Sequence, residues 1–177
     1  MGRSWILLPL LMLCGCLGVP RGIRPVEDFE LDRYLGTWYE VARLDHRFER
    51  GLTRVTAEYT LKADGTVRVV NRGYSAEKNA WKEAEGRAAF VGSTETGYLK
   101  VSFFGPFYGS YVIFELDREA YSYAFVTGPD RKYLWLLART PDPGPEVVDR
   151  FVTRSKELGF DTDALIFVDH GDTEKKK

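Results

Sequence analysis

The side chains able to do chemistry in this chain are few, and they fall into three groups. Cys14 and Cys16 are its two cysteines, both at the end of an apolar run, where a thiol can become an acyl acceptor. Arg47, Arg50 and Arg54 are interleaved with Phe48 and Leu52, so cations border apolar side chains. A basic rim over an apolar hole suits an acyl chain with an anionic head, held by charge-assisted hydrogen bonds. The other reading is a solvated loop whose arginines pair with Asp45 and Glu49. Glu40 shares a face with Trp38 and Ala42 at the period of two that strands impose. If Trp38 turns inward, so does Glu40, and a buried carboxylate needs a partner or a proton. An arginine or tyrosine near the closed end of the fold would meet that need; a polar group of a ligand is the alternative.

Other chemistries cannot be assembled. His46 and His170 stand far apart and have no cysteine ligand after Cys16, so the chain holds no metal motif. It contains no serine nucleophile elbow, no phosphate loop and no paired-carboxylate signature. These absences argue for a binding protein, not an enzyme, with neither metal nor cofactor. A net charge of −1 lacks the basic footprint of nucleic-acid binding.

The first sixteen residues form a leader. Arg3 is followed by an apolar run over 5–13 that is too short to span a bilayer as a helix. It ends in Leu13-Cys14-Gly15-Cys16, which looks like a bacterial lipobox: an aliphatic residue at −3, a small one at −1, then the acylated cysteine. Leu13 and Gly15 select Cys16 over Cys14. An ordinary secretory signal cut near Gly18 or Gly22 is the competing reading. Leu17, where retention at the inner membrane mainly requires Asp, favours the outer membrane. The expected organisation is a lipoprotein signal peptide over 1–15, a Pro/Gly/Arg tether over 16–28, a folded domain over 29–170 and a disordered tail over 171–177.

The elements that must position the candidate residues are strands. Of 177 residues, 44% are hydrophobic and 14% aromatic, composition suited to pleated surfaces and pocket linings. Strand patterns fall at 37–44, 55–61, 67–74, 81–90, 98–104, 110–116, 122–127 and 133–139, separated by turn chemistry such as Asp64-Gly65. Short connections make an antiparallel up-and-down meander, and closure into an eight-stranded β-barrel would remove its edges. Pro145 then starts an amphipathic helix, with Val148, Phe151, Val152, Ser155 and Leu158 at helical spacing and Gly159 as its stop. That helix must pack outside the barrel, and 163–168 could return as a short extra strand. Alternating loops put Trp38 and Arg139 at the same closed end, where an arginine over an indole is a cation–π pair. Gly36 would let the chain turn into that plug.

Gly36-x-Trp38, Tyr121-x-Tyr123-Ala124 and Arg139 resemble the three conserved blocks of the lipocalins, although Asp117 to Tyr121 departs from the usual Thr-Asp-Tyr of the second block. The runs YLGTWYEVARLDHRFERGL, LKVSFFGPFYG and GPDRKYLWLLARTP, together with the lipobox, are similar to bacterial outer-membrane members of that family over roughly residues 30–168. The resemblance implies a lipid-binding barrel anchored in the outer membrane and facing the periplasm. It would take fatty acids or lysophospholipids in capture, storage or shuttling for membrane maintenance. Candidate ligand contacts in cavity and mouth are Glu40, Ala42, Arg47, Phe48, Arg50, Arg54, Phe107, Tyr108, Tyr133 and Trp135. The expected floor is Gly36, Trp38, Tyr121, Tyr123 and Arg139. Alternatives are a structural envelope lipoprotein and a lipid-modifying enzyme on the same barrel. An integral membrane barrel is opposed by the lipobox, the helix and the charged tail. The sequence leaves the oligomeric state open, a homodimer included.

Overall fold

Alternating apolar and polar residues over short runs produce a meander of eight antiparallel strands: β1 (Gly36–Arg43), β2 (Leu52–Leu61), β3 (Val67–Ser75), β4 (Ala80–Phe90), β5 (Tyr98–Phe104), β6 (Phe107–Leu116), β7 (Tyr123–Thr127) and β8 (Leu134–Ala138). Each pairs with the next, and β1 pairs with both β2 and β8, which closes the barrel. The computed structural model describes residues 17–171; Cys16, the rest of the leader and residues 172–177 lie outside them. All eight expected strands are present, with ends displaced by no more than three residues.

A ninth strand, β9 (Ile166–Phe167), is the expected return after the helix. Near the mouth β1 and β2 separate, because their pairing stops at Tyr39 and Thr56. The C-terminal segment fills this split: Ile166 and Phe167 pair with Arg43 and Ala42, and the Arg54 amide donates to Asp169 O at 2.7 Å.

The helix α2 (Pro145–Glu157) lies against the outer wall, with Pro145 in its first turn and Phe151 and Ser155 buried. Gly159, at φ +81°, takes the left-handed conformation that ends the helix without a Cβ penalty. The barrel therefore has two cores. The inner one includes Trp38, Tyr59, Val67, Val69, Leu99 and Leu137. The outer one, under α2, joins Phe151 to Val41, Ala42, Phe125, Leu134 and Leu136.

Strand β1, like β6, β7 and β8, serves both cores. A β-bulge between Glu40 and Ala42 shifts the β1–β8 register by a residue. The expected inward series Trp38, Glu40, Ala42 therefore breaks: Ala42 faces the outer core, and Arg43 is the next residue to turn inward. Ala42 is thus corrected from a cavity contact to a residue beneath α2.

The floor includes an element that the strand pattern did not announce, the short helix α1 (Leu31–Tyr34). Arg139 stacks over Trp38, its Cζ 3.9 Å from the ring centroid. Its guanidinium also donates to the carbonyls of Thr37 (2.8 Å), Arg33 (2.7 Å), Leu35 (3.0 Å) and Tyr121 (3.3 Å). Gly36, at φ +91°, makes the turn between α1 and β1, and a Cβ there would sit 3.7 Å from Arg139 Nη1. Tyr121 belongs to this floor: its hydroxyl accepts from the Glu30 amide at 3.0 Å and Arg33 stacks on its ring. Tyr123 does not. Tyr121 adopts φ +52° outside the strand, so alternation begins afresh at Tyr123, which packs in the outer core against Phe125.

Residues 18–29, most of them within the expected tether, are bound along the barrel wall. Gly18 N donates to Ser110 Oγ at 2.8 Å, Val26 exchanges backbone bonds with Ile113 and Gly97, and Phe29 N donates to Glu95 O. Ile23 and Phe29 are buried.

Candidate ligand-binding site

Inward residues of the strands enclose a cavity with about 820 Å³ of atom-free space, its open mouth included. Its wall is mostly apolar, with Val55, Val67, Val69, Leu99, Val101 and Leu137 prominent. Polar groups occur at two levels.

Toward the mouth, Glu40 and Arg43 form a buried ion pair at 2.5 Å. Arg43 also donates to the carbonyls of Glu49 (2.9 Å) and Leu52 (3.2 Å), pinning the β1–β2 loop across the entrance. Glu49 reaches into the same cluster: its Oε2 lies 2.9 Å from His46 Nε2 and accepts from Trp135 Nε1 at 3.2 Å. Burial, then the neighbouring Glu49 charge, pushes the Glu40 carboxyl well above its usual range, against the pull of Arg43. Burial also opposes ionisation of Glu49, but hydrogen bonding from His46 and the nearby His46 charge outweigh it and hold this carboxyl below its ordinary value. The two carboxyls are thus pushed in opposite directions, Glu40 toward holding a proton and Glu49 toward charge.

At the closed end, the hydroxyls of Tyr34, Tyr59 and Tyr111 form a chain, with Tyr111 Oη 2.7 Å from Tyr34 Oη and 2.8 Å from Tyr59 Oη. Burial raises all three phenols above their ordinary value, so they remain protonated.

Of the expected contacts, Glu40 and Trp135 line the cavity, and Tyr133 stacks on Trp135 at 6.0 Å without lining it. Arg47 and Phe48 lie together on the exposed β1–β2 loop, the guanidinium 4.9 Å from the ring centroid. Arg50 is paired with Asp45 at 2.6 Å, as the solvated-loop reading requires. Arg54 is turned away from the rim: at φ +52° beside an irregularity in β2, it stacks on Tyr74 and approaches Gly171 on the outside. Phe107 is 58% exposed at the tip of the β5–β6 turn, and Tyr108 lies under Lys100; neither lines the cavity.

Sequence reasoning missed Arg43, Glu49 and the tyrosine chain. Tyr59 was within reach, since it follows Val55 and Ala57 at period two. Arg43 was not, because nothing in the text of β1 marks the bulge. Among the described residues no cluster of His, Cys, Asp or Glu could hold a metal ion.

Known proteins share this arrangement. The profile of the family described as a lipocalin-like domain matches residues 29–170. Outer membrane lipoprotein Blc of Vibrio cholerae serotype O1 is 63% identical over 168 residues, covering 95% of this chain and 98% of that protein. Outer membrane lipoprotein Blc of Escherichia coli K12 is 50% identical over 159 residues, 90% and 89% of the two chains. The lipid-anchored, outer-membrane placement read from the leader agrees with these names. Among solved structures, insecticyanin of the tobacco hornworm Manduca sexta superimposes with a TM-score of 0.70 at 24% identity, over 88% of each chain, a likeness of fold. A closed eight-stranded barrel with its floor plugged by Trp38 and Arg139, a flanking helix and a profile match across the folded domain place this chain in the lipocalin family.

Proposed function

We propose that this lipocalin captures and carries single-chain lipids, fatty acids or lysophospholipids, at the outer membrane, where acylated Cys16 anchors it facing the periplasm. The observation that carries the reading is an apolar barrel closed at the floor and polar near its mouth. An acyl chain fills such a space tail-first, and each buried methylene contributes about 0.8 kcal/mol. Arg47 meets the anionic head; among the described residues it has no carboxylate partner within ion-pair distance, whereas Arg50 is held by Asp45. The barrel binds without converting what it binds: the buried Arg43 is held by Glu40 and by carbonyls of the entrance loop, and Glu49 by Trp135, with His46 within ion-pair distance.

The test is displacement of an environment-sensitive fluorescent fatty acid by palmitate, a lysophospholipid and a monoacylglycerol. All three should compete. Arg47→Gln should weaken palmitate and the lysophospholipid, whose heads carry a carboxylate or a phosphate, by several-fold, as loss of a solvated charge-assisted bond of about 1 kcal/mol does, and spare the monoacylglycerol. Failure of all three lipids to displace the probe refutes lipid carriage.

A further inference from the structure

The tyrosine chain at the closed end leaves a remainder. Three phenols bring three hydroxyl protons, and their two mutual contacts use two of them. Whichever way the bonds are oriented, one O–H stays unspent, on Tyr34, Tyr59 or Tyr111. Burial keeps all three phenols protonated, so ionisation does not remove the surplus.

An unmet acceptor faces the same cavity. Asn71 Oδ1 is buried without a hydrogen-bond partner, and Asn71 lines the same cavity. Tyr59 is paired with Val69, and Ala57 with Asn71. Asn71 therefore stands two residues, about 7 Å of strand rise, nearer the mouth than the Tyr59 level. Around them the wall is mostly apolar, with Val67, Val69, Leu99 and Leu137, and neither group makes a further hydrogen bond.

We propose that this donor and acceptor form a subsite for a hydroxyl group carried part-way along an acyl chain. An alcohol accepts from the unspent tyrosine proton and donates to Asn71. A plain hydrocarbon chain leaves both protein groups desolvated and unmet, and that penalty is what makes polar subsites selective. The inference rests on the lipid-carrier reading and names the class of chain the carrier prefers: internally hydroxylated acyl chains. A carboxyl group inserted head-first could also accept from the tyrosines, so the assay must separate the two sources of oxygen.

The probes are stearate, a series of hydroxystearates differing in hydroxyl position, and methyl stearate, each displacing a fluorescent fatty acid from the purified protein. One or two internal hydroxyl positions should bind at least about tenfold tighter than stearate. Removing a single tyrosine hydroxyl still leaves at least one proton in excess, two if the middle Tyr111 is lost, so the informative variant changes all three, Tyr34→Phe, Tyr59→Phe and Tyr111→Phe. It should abolish the preference while stearate binds as well as before. Asn71→Leu, which leaves the tyrosines in place, should reduce the preference by itself, and thermal unfolding checks that each variant is folded. Equal affinity for stearate and every hydroxystearate overturns the subsite. So does a methyl stearate deficit that disappears in the triple tyrosine variant, the mark of head-first entry. Displacement by none of the probes removes lipid carriage and the subsite with it.

Discussion

Replacing Arg139 by Met tests the floor. Seen from the sequence, Arg139 is a stacking partner, and Arg139→Met should cost less than Trp38→Ala. The structure narrows that gap, because the guanidinium joins four backbone carbonyls from α1, the start of β1 and Tyr121. At about 1 kcal/mol net for each hydrogen bond, the four contribute about 4 kcal/mol. Arg139 is only partly buried, so water recovers some of this on truncation and about 2–3 kcal/mol is lost. The cation–π contact over Trp38 adds about 0.5–2 kcal/mol. The total, about 2.5–5 kcal/mol, overlaps the roughly 3–5 kcal/mol expected when Trp38→Ala empties a fully buried site. Urea denaturation should show both losses, and Arg139→Met should lower Tm by about 10 °C. Arg139→Lys keeps the charge but not the planar fork, and should fall between wild type and Met. The double mutant should show coupling of about 1 kcal/mol or more. An Arg139→Met variant within about 0.5 kcal/mol of wild type, or additive single mutants, would refute the idea that the floor is built around this side chain.

The remaining predictions concern the mouth and the anchor. Glu40 has a native pKa above its unfolded value, so its contribution to stability is full below that unfolded value, about 4.3, and fades as pH rises through the native one. Glu49 has the opposite sign: its contribution is present above the unfolded value and fades as pH falls through its depressed native value. In urea titrations across pH, Glu40→Gln should flatten the alkaline-side decline and Glu49→Gln the acid-side one; unchanged profiles would contradict the opposite signs of the two shifts. Cys16→Ser should release the protein from the membrane fraction on cell fractionation while Cys14→Ser leaves it bound, and equal anchoring of the two would discard the lipobox reading.

How far these features could be read in advance depends on how local their causes are. Strand positions, the helix from Pro145 and its stop at Gly159 follow from short-range periodicity and turn chemistry, and they stand where the sequence puts them. The pairing of Trp38 with Arg139 was legible because strand count alone fixes which loops share an end. Ala42 and Tyr123 were misplaced for one reason: face assignment by parity fails wherever a bulge or a positive φ interrupts the strand. Arg54 failed similarly, beside the irregularity in β2. Helix α1 is one turn long, too short for a periodic signal. Arg43 and Glu49 meet only after the loop between them folds back over the entrance, a long-range result of packing that no window of sequence contains.

The bound N-terminal segment has a mechanical consequence. From Gly18, bonded to Ser110 near the mouth, the chain descends to Phe29, bonded to Glu95 at the closed end. The bonds of Gly18, Val26 and Phe29 are spread along this descent, and Glu30 N extends the series to Tyr121. Tension applied at Leu17 along the barrel axis would load these attachments in shear, sharing force among them instead of peeling them apart singly. Any pull from the N-terminal side is thus delivered into β6 and the floor, and the joint behaves as a splice, not as a hinge.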